Sequence, residues 1–349
     1  MSSIASRRFA FDGGLVLRDG ESGRVWLLQD AAAEACRGLD NVEAVAALSS
    51  LHQTSDDSAS LIGRLWSPPE ESAELDLVLR DGGPVVRVRV WDRRLAVPLA
   101  SMLTSLAAVG EPSVVLDLFV AGDRTAVARD GLVVQDGPGI GWWFLVRWLS
   151  RSLHAGRSWL GVLHAATVVP PGGDAVAIAG VSGAGKTTLA GAMIAAGARL
   201  LSDDATPIEA GSRLAWPCPL AMGVKKGSWP LFTAMFDDFA DVTPVHFGTL
   251  AIRYFPAPRM VRGEGRPVAA IVFPAWKSGA ALTPERLRPR DALCLLAQSG
   301  TEPSVQEEHL ADMLQWLETV PAWRLGYGDL GEAVSFVRGL ASGGQDEAT

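Results

Sequence analysis

A glycine-rich run in the middle of the chain has the residue types and spacing of a phosphate-binding loop. The run is Gly180-Val181-Ser182-Gly183-Ala184-Gly185-Lys186-Thr187, in which two glycines precede a lysine and a hydroxyl residue at fixed spacing. Small residues let the backbone curl so that successive N–H groups point at one phosphate. Lys186 would neutralise the outer phosphate oxygens, and the Thr187 hydroxyl would be offered to magnesium. The sequence therefore predicts a nucleotide phosphate site here.

The segments on both sides of this loop predict the elements that position it. Ala175–Ala179 is uninterrupted apolar sequence and is predicted to be a buried strand. Thr187 to Ala196 is rich in helix formers, and Gly197 would end that helix. The helix N-terminus would add its dipole to the anion site. This context favours a ligand site over a glycine-rich turn that binds nothing.

Two adjacent carboxylates follow the next predicted strand. Arg199–Ser202 ends in Asp203 and Asp204, separated from Thr187 by one helix and one strand. Both carboxylates are therefore expected at a strand C-terminus beside the loop, the edge at which open α/β sheets bind ligands. We expect one of them to hold magnesium, directly or through water, and the other to accept a proton from an attacking hydroxyl. The alternative is an aspartate pair that only opens a turn.

His164 lies in Leu160–Val168, which is interpreted as one apolar strand preceding the strand of the loop. A histidine in an apolar strand is often a hydrogen-bonded core group, whereas a position beside the phosphate strand favours catalysis. Both interpretations remain open for His164. The other four histidines, His52, His154, His246 and His309, have no comparable context.

Composition excludes several classes of protein. The chain has 349 residues, 48 % of them hydrophobic, which supports real cores and excludes wholesale disorder. Its 31 basic and 39 acidic residues give a net charge of −8, which argues against binding nucleic acid through bulk electrostatics. Three distant cysteines, Cys36, Cys218 and Cys294, suggest neither a zinc site nor a disulfide framework, and a cytoplasmic location is expected.

No membrane span and no signal peptide are expected from the sequence. The longest apolar stretches are interrupted, one by Glu111-Pro112 and the other by Arg147 and Arg151. Apolar residues in Trp142–Leu153 recur at helical spacing. A helix packed on a sheet, with its arginines snorkelling to solvent, is favoured there over a membrane-surface or partner helix.

The first part of the chain predicts a small separate module. Leu15–Leu17 and Val25–Leu28 are short apolar strands joined by the turn Asp19–Gly23. Three short helices are predicted to follow. They would be capped by Asp30, Asn41 and Asp57, with Leu48, Leu51, Leu61, Ile62 and Leu65 facing inward. The proline-rich acidic stretch Ser67–Ser72 is interpreted as a linker.

Beyond the linker, the pattern predicts a strand at Val86–Val90, a helix at Leu95–Ala108 and two strands within Val114–Val134 around Gly122-Asp123. The predicted organisation is a small binding module over residues 1–66 and a linker with a first strand over 67–83. A catalytic domain over 84–341 and a disordered tail over 342–349 complete the chain.

The segment His164–Ile208 resembles the catalytic domain of HPr kinase/phosphorylase, and resembles more closely the HPr-kinase-related proteins found with bacterial peptide-modification systems. The resemblance extends thinly through Pro217–Leu220, Lys225–Ser228 and Ala270–Pro274 to a helix–strand–helix end. It implies an α/β P-loop kinase domain and phosphorylation of a serine hydroxyl on a protein or peptide by ATP with Mg²⁺. The glycine-rich signature that follows the paired aspartates in HPr kinase is absent at the matching distance, and Arg262–Gly265 is interpreted as a loop.

This resemblance also implies roles for individual residues. Gly180 to Thr188 would bind the nucleotide phosphates, with Thr188 as the last residue of the set. Asp203 matches the family's acid/base carboxylate, Asp204 its neighbour near magnesium, and His164 the histidine that precedes the loop. Lys186 and His164 would join Asp203 in catalysis, and Thr187 would join Asp204 at the metal.

The N-terminal segment resembles PqqD-type peptide chaperones, mainly over Val25–Ala35 and Gly38–Asp40. That likeness implies a small α+β winged-helix-like domain whose hairpin edge holds the leader of a precursor peptide by strand addition. The alternative is a module that packs on the kinase domain or on another copy, as in a homo-oligomer. The resulting hypothesis is a peptide kinase with a fused recognition domain. A small-molecule P-loop kinase and a nucleotide-binding scaffold of a peptide-modifying complex are its rivals.

Overall fold

The computed structural model describes residues 7–11, 14–18, 25–28, 40–41, 44, 60–139, 141–247, 250–304 and 306–342. These residues form a mixed α/β protein with parallel and antiparallel strands. The strands are β1 (Arg7–Phe11), β2 (Gly14–Arg18), β3 (Val25–Leu28), β4 (Leu75–Leu79), β5 (Val86–Val90), β6 (Val114–Ala121), β7 (Arg124–Arg129), β8 (Leu132–Pro138), β9 (Trp159–Leu163), β10 (Ala165–Val169), β11 (Ala175–Ala179), β12 (Arg199–Ser202), β13 (Thr206–Glu209), β14 (Met222–Lys225), β15 (Val245–Phe247), β16 (Leu250–Phe255), β17 (Val268–Trp276), β18 (Thr283–Leu287), β19 (Glu302–Pro303) and β20 (Ala322–Tyr327). The α-helices are α1 (Arg93–Met102), α2 (Trp143–Ser152), α3 (Lys186–Ala195), α4 (Trp229–Met235), α5 (Pro289–Ser299), α6 (Glu307–Thr319) and α7 (Leu330–Ala341).

A six-stranded sheet carries the glycine-rich loop. Its order is β12-β10-β11-β17-β20-β18, in which β11, β17 and β20 are mutually parallel and β10 is antiparallel to both of its neighbours. All five residues of β11 are buried, so the prediction of a buried strand at Ala175–Ala179 is confirmed. Because β11 and β12 both run antiparallel to β10, they end at the same edge of the sheet.

Helices cover both faces of this sheet. Val176 and Ile178 of β11 pack with Leu189 and Met193 of α3 on one face. The alanines of β11 face the opposite core, where Leu296 of α5 and several residues of α6 lie. This alternation is the two-residue period of a strand buried on both sides. The loop thus follows a strand that is packed on both faces.

A second sheet of five strands, in the order β4-β5-β6-β7-β8, packs against α1 and α2. The alternation predicted for Val86–Val90 is confirmed. The prediction of two strands within Val114–Val134 is wrong, because a second turn at Asp130-Gly131, both with positive φ, divides the segment and adds β8. The helix predicted to end at Ala108 ends at Met102 and is followed by a 3-10 turn over Thr104–Leu106.

The predicted N-terminal hairpin is confirmed: β2 pairs with β3, from Leu15 opposite Leu28 to Arg18 opposite Val25. A further strand, β1, pairs with β2 and was not predicted. Val16 is buried in the core on the α6 side of the six-stranded sheet. Asn41 is helical, and the Ala44 N–H donates to Asp40 O. Several predictions lie outside the described residues: the helix caps Asp30 and Asp57, the inward-facing Leu48 and Leu51, and the tail from residue 343.

Residues 60–66 correct one prediction. They form no helix, and Ile62 and Leu65 are 57 % and 88 % exposed rather than inward-facing. The segment is instead held by the five-stranded sheet, where the backbone N–H of Leu61 donates to Asp136 and the Trp66 ring stacks on Phe119 at 3.6 Å. Residues 67–72 have no regular structure, as expected of a linker.

Helix α2 settles the choice left at Trp142–Leu153. It buries Leu145 and Leu149 against the protein core, so the packed-helix interpretation is confirmed. Its arginines do not snorkel to solvent, because Arg147 and Arg151 both pair with Glu302. Of the helices described, none is both apolar enough and long enough for a bilayer crossing.

Candidate active site

The glycine-rich loop joins β11 to α3, which begins at Lys186. Gly180, Gly183 and Gly185 have φ values of 139°, 91° and 98°. L side chains rarely adopt these conformations, so the glycines are what allow the loop to curl. The curl is closed by a hydrogen bond of 3.1 Å from the Ala184 N–H to Val181 O. The predicted order of strand, curled glycine-rich loop and helix is therefore present.

Lys186 folds back over the loop. Its Nζ donates to the carbonyl oxygens of Gly180 at 2.7 Å and Val181 at 3.3 Å, and the residue is only 8 % exposed. Burial lowers the pKa of this ammonium, while the negative charges of Asp204 and Asp203 oppose that shift. Gly180 and Val181 thus position the lysine, whereas residues Ser182 to Thr188 line a cavity in front of the loop.

The aspartate pair lies at the same sheet edge as the loop. Ala165 pairs with Ala179, and Thr167 pairs with Ser202, so β10 lies between the loop strand and the aspartate strand. His164 directly precedes β10 at this edge. The expectation that the loop and the pair meet at one edge is confirmed, and the intervening strand adds His164 between them.

Asp203 is the buried member of the pair. It is 2 % exposed, and its Oδ2 accepts a hydrogen bond of 3.0 Å from the Gly223 N–H. Its Oδ1 is also buried and has no hydrogen-bond partner among the described residues. Burial, reinforced by the negative charge of Asp204, raises the pKa of Asp203 to about 8. The carboxyl is therefore mostly protonated at neutral pH, and the pH at which it loses its proton lies close to neutral.

Asp204 has a different environment. Its backbone adopts a left-handed conformation with φ of 71°, and its side chain is 42 % exposed in the cavity. Asp204 Oδ1 lies 4.0 Å from His164 Nε2. The two adjacent carboxylates therefore provide one open, charged oxygen ligand and one sealed group that holds a proton.

His164 is not inside a strand, contrary to the prediction of one continuous strand over Leu160–Val168. Strand β9 pairs with β13 and β19, whereas β10 pairs with β11 and β12, so the chain changes sheets at His164. Its backbone N–H donates to Thr301 Oγ1 at 3.2 Å, and its side chain lines the cavity. Burial lowers the pKa of His164, opposed by Asp204, so the imidazole is neutral at pH 7.

The cavity has a volume of about 1230 Å³, larger than the 300–1,000 Å³ typical of a site for one small ligand. It runs along the edge of the six-stranded sheet and includes the loop, His164 and Asp204. It also includes residues to which the sequence analysis gave no role in a site: Trp143, Arg147, Lys225, Ser228 and Trp276. The space is sufficient for a nucleotide together with part of a second substrate.

Lys225 supplies a second cation at the loop. It ends β14, and its Nζ donates to Ser182 Oγ at 2.5 Å. Nearby, the hydroxyl groups of Thr188 and Ser228 lie 2.7 Å apart. Lys225 and Ser228 belong to a segment that carried only a thin family resemblance, so no signal in the sequence assigned them to the loop.

Arg147 supplies further positive charge to the lining of the cavity. Its guanidinium stacks on Trp143 at 4.0 Å, lies 3.6 Å from Glu302 and donates to Gly300 O. Arg151 lies 3.1 Å from the same Glu302 carboxylate. Two guanidinium groups therefore share one carboxylate, and this cluster keeps one net positive charge beside the cavity.

No known family model matches the chain, and no curated protein matches it either. The site must therefore be interpreted from its own chemistry. The part of the chain that the structure describes has no cluster of three His, Cys, Asp or Glu side chains able to hold a metal ion. The two lysines at the loop, its hydroxyl groups and one open carboxylate instead suit a multiply charged anion that brings its own ligands to a metal.

Proposed function

We propose that this protein is an ATP-dependent phosphotransferase, related to HPr kinase, that phosphorylates a serine or threonine hydroxyl of a ribosomally made precursor peptide in the cytoplasm. One observation carries the proposal. The glycine-rich loop with Lys186, His164 and the pair Asp203-Asp204 meet at a single edge of the six-stranded sheet. This juxtaposition supplies a phosphate cradle beside a group able to take a proton.

The triphosphate would bind at the loop, where Lys186 and Lys225 offset its charge. Both ammonium groups are held by contacts to the loop itself, Lys186 to two carbonyl oxygens and Lys225 to Ser182. Preorganised cations of this kind stabilise charge that moves during transfer without reorganising at the moment of reaction. The N-terminus of α3 adds its dipole.

Magnesium would be held by the Thr187 hydroxyl and the Asp204 carboxylate, which both line the cavity. The donor set fits this ion, because Mg²⁺ prefers oxygen ligands and is usually held by one or two carboxylates together with substrate phosphates. Asp204 is the open carboxylate of the pair, whereas Asp203 is sealed. When bound, Mg²⁺ would neutralise negative charge on the phosphate oxygens.

Transfer would move the proton of the acceptor hydroxyl to a carboxylate while the hydroxyl oxygen attacks the γ-phosphorus. The bond between that phosphorus and the bridging oxygen breaks, and ADP leaves. The ionised form of Asp203 would accept the proton, once the bound acceptor brings its hydroxyl within hydrogen-bond reach of this buried carboxylate. His164 Nε2 and Asp204 Oδ1, which lie 4.0 Å apart, line the cavity at the same sheet edge.

The leader of the peptide would be held by the N-terminal sheet. In the described chain β3 is an outer strand of that sheet, and an extended leader would add beside it through main-chain hydrogen bonds. Burial of Val16 in the core of the six-stranded sheet attaches this sheet to the rest of the protein. Attachment raises the effective concentration of the core peptide at the cavity.

Transfer of label from [γ-³²P]ATP to candidate precursor peptides, with and without their leaders, tests the proposal. We expect labelled peptide with the wild-type protein and none with Lys186→Ala. A leader with proline in its added strand, which lacks one ladder donor, should show a raised KM. Labelling of a small molecule in place of peptide would indicate the small-molecule kinase. ATP binding without any transfer would indicate the scaffold.

A further inference from the structure

The cavity has two flanks, one on each side of the loop. Because the sheet order is β12-β10-β11-β17-β20, His164 and Asp204 lie on the β10 and β12 side. Trp143 and Arg147 of α2 and Met102 of α1 also line the cavity, as does the C-terminal end of β17 on the other flank, at Trp276. Arg147 donates to Gly300 O and the His164 N–H donates to the next residue, Thr301, so the α2 residues lie on the His164 side. Each flank therefore offers one partly exposed indole.

Trp276 is the more open of these two indoles. It is 60 % exposed, compared with 45 % for Trp143, although it ends a strand whose preceding residues are mostly buried. A large apolar side chain left open inside a cavity with charged walls is typical of a ligand contact.

The backbone of Trp276 is fixed relative to the loop. It pairs with Tyr327 of β20, and the next residue, Lys277, donates its N–H to Tyr327 O at 2.9 Å. Tyr327 is buried, and a Cβ built on Gly185 would lie 3.4 Å from its hydroxyl. A strand-mounted indole beside the loop is a more defined platform than one on an unpaired segment would be.

The in-line geometry of phosphoryl transfer indicates which flank holds the acceptor and which holds the nucleoside. A proton acceptor must lie within hydrogen-bond reach of the attacking hydroxyl, so the acceptor substrate belongs beside Asp203 and Asp204. The leaving oxygen lies roughly in line on the far side of the phosphorus, so the nucleoside leads away from the carboxylates. That direction is toward β17 and β20.

We propose that the base of the nucleoside triphosphate stacks on the indole of Trp276, which leaves the flank of Trp143 and Arg147 to the acceptor. This assignment rests on the proposed function and adds to it the place and chemistry of nucleoside recognition. Stacking uses a π-face that every base has, and it contributes enough affinity to be measured by truncation of the aromatic side chain.

Calorimetric titration of the full-length protein with ATP and with inorganic tripolyphosphate, each with Mg²⁺, tests the assignment. In Trp276→Ala we expect the Kd for ATP to rise about 5- to 150-fold, the range for loss of one base–aromatic stack, while the Kd for tripolyphosphate stays unchanged. Trp276→Phe should recover most of the ATP affinity. Trp143→Ala is the matched control, an exposed indole of the same cavity whose removal should leave both constants unchanged.

Either of two results with Trp276→Ala would overturn the assignment while leaving the proposed function intact. One is ATP affinity unchanged in Trp276→Ala, and the other is an equal loss of ATP and tripolyphosphate affinity in that variant. A selective loss of ATP affinity in Trp143→Ala would reverse the two flanks and also contradict it. If the wild-type protein binds neither ATP nor tripolyphosphate, the proposed function fails together with this inference.

Discussion

Asp203 and Asp204 are adjacent in the chain, yet the first is sealed in the protein and the second opens into the cavity. The left-handed backbone at Asp204 accompanies this division. Burial raises the pKa of Asp203, and separate environments of this kind are how one site can obtain both an open oxygen ligand and a proton-holding group.

Exchange of each aspartate for asparagine should separate the two roles. We expect Asp203→Asn to lower kcat at least about a hundredfold, the usual scale for a positioned general base, with ATP affinity close to wild type. Asp204→Asn should instead weaken the dependence of ATP binding on Mg²⁺. Nucleotide titrations at several Mg²⁺ concentrations and single-turnover rates measure both. If Asp203→Asn loses ATP binding together with activity, Asp203 is the metal ligand and the roles exchange.

Lys186→Ala should reduce phosphoryl transfer at least about a hundredfold and weaken ATP binding, because the variant loses a buried cation held against the loop. Lys226→Ala is the matched control. Lys226 is exposed and does not line the cavity, and its substitution removes the same charge as Lys186→Ala. ATP affinity and transfer rate are measured for both. Unchanged turnover in Lys186→Ala would remove the loop from the mechanism.

Arg147 and Arg151 form a matched pair for testing the role of positive charge on the flank proposed for the acceptor. Each pairs with Glu302, but only Arg147 lines the cavity. We expect Arg147→Gln to lower kcat/KM for the acceptor about tenfold or more, as loss of a charged contact does, with ATP affinity unchanged. Arg151→Gln should keep activity. Each variant leaves Glu302 one arginine partner, but Arg147→Gln also loses the contacts with Gly300 and Trp143, so its melting temperature should fall further. Equal losses of activity in both variants would show that Arg147 acts only through the fold.

His154 predicts a pH dependence of stability away from the site. It is buried, its Nε2 lies 2.7 Å from Pro217 O, and burial lowers its pKa. In the unfolded chain the pKa of this histidine is about 6.5, so below that pH the unfolded chain binds a proton that the folded protein does not bind. The free energy of unfolding therefore decreases as the pH falls below about 6.5. The slope for one histidine is at most about 1.4 kcal/mol per pH unit.

Urea unfolding at several pH values between neutral and mildly acidic measures this effect. We expect His154→Gln to lose part of the acid sensitivity that the wild-type protein shows. His164 shifts in the same direction, so His164→Gln should lose a separate part, and the double variant should lose both. Identical acid sensitivity in wild type and His154→Gln would contradict the prediction.

Short-range pattern in the sequence determined the glycine-rich loop and the elements on either side of it. The run of small apolar residues at Ala175–Ala179, the three glycines and the helix formers after Lys186 each specify local backbone conformation, and the structure has them where they were predicted. Only one helix and one strand separate Asp203 and Asp204 from the loop. A strand that follows so short a connection has few possible positions in the sheet, so the aspartates were expected at the sheet edge that carries the loop.

Tertiary structure alone decided which side chains share the cavity. Lys225, Arg147 and Trp276 reach it from β14, α2 and β17, and no local pattern relates those segments to the loop. His164 was placed inside a strand because its neighbours are apolar, whereas exchange of partners between two sheets breaks the strand there. The burial of Asp203 and the exposure of Asp204 likewise depend on packing across several elements. Pairing of distant strands and desolvation are properties of the assembled core, and residue type and spacing along the chain do not contain them.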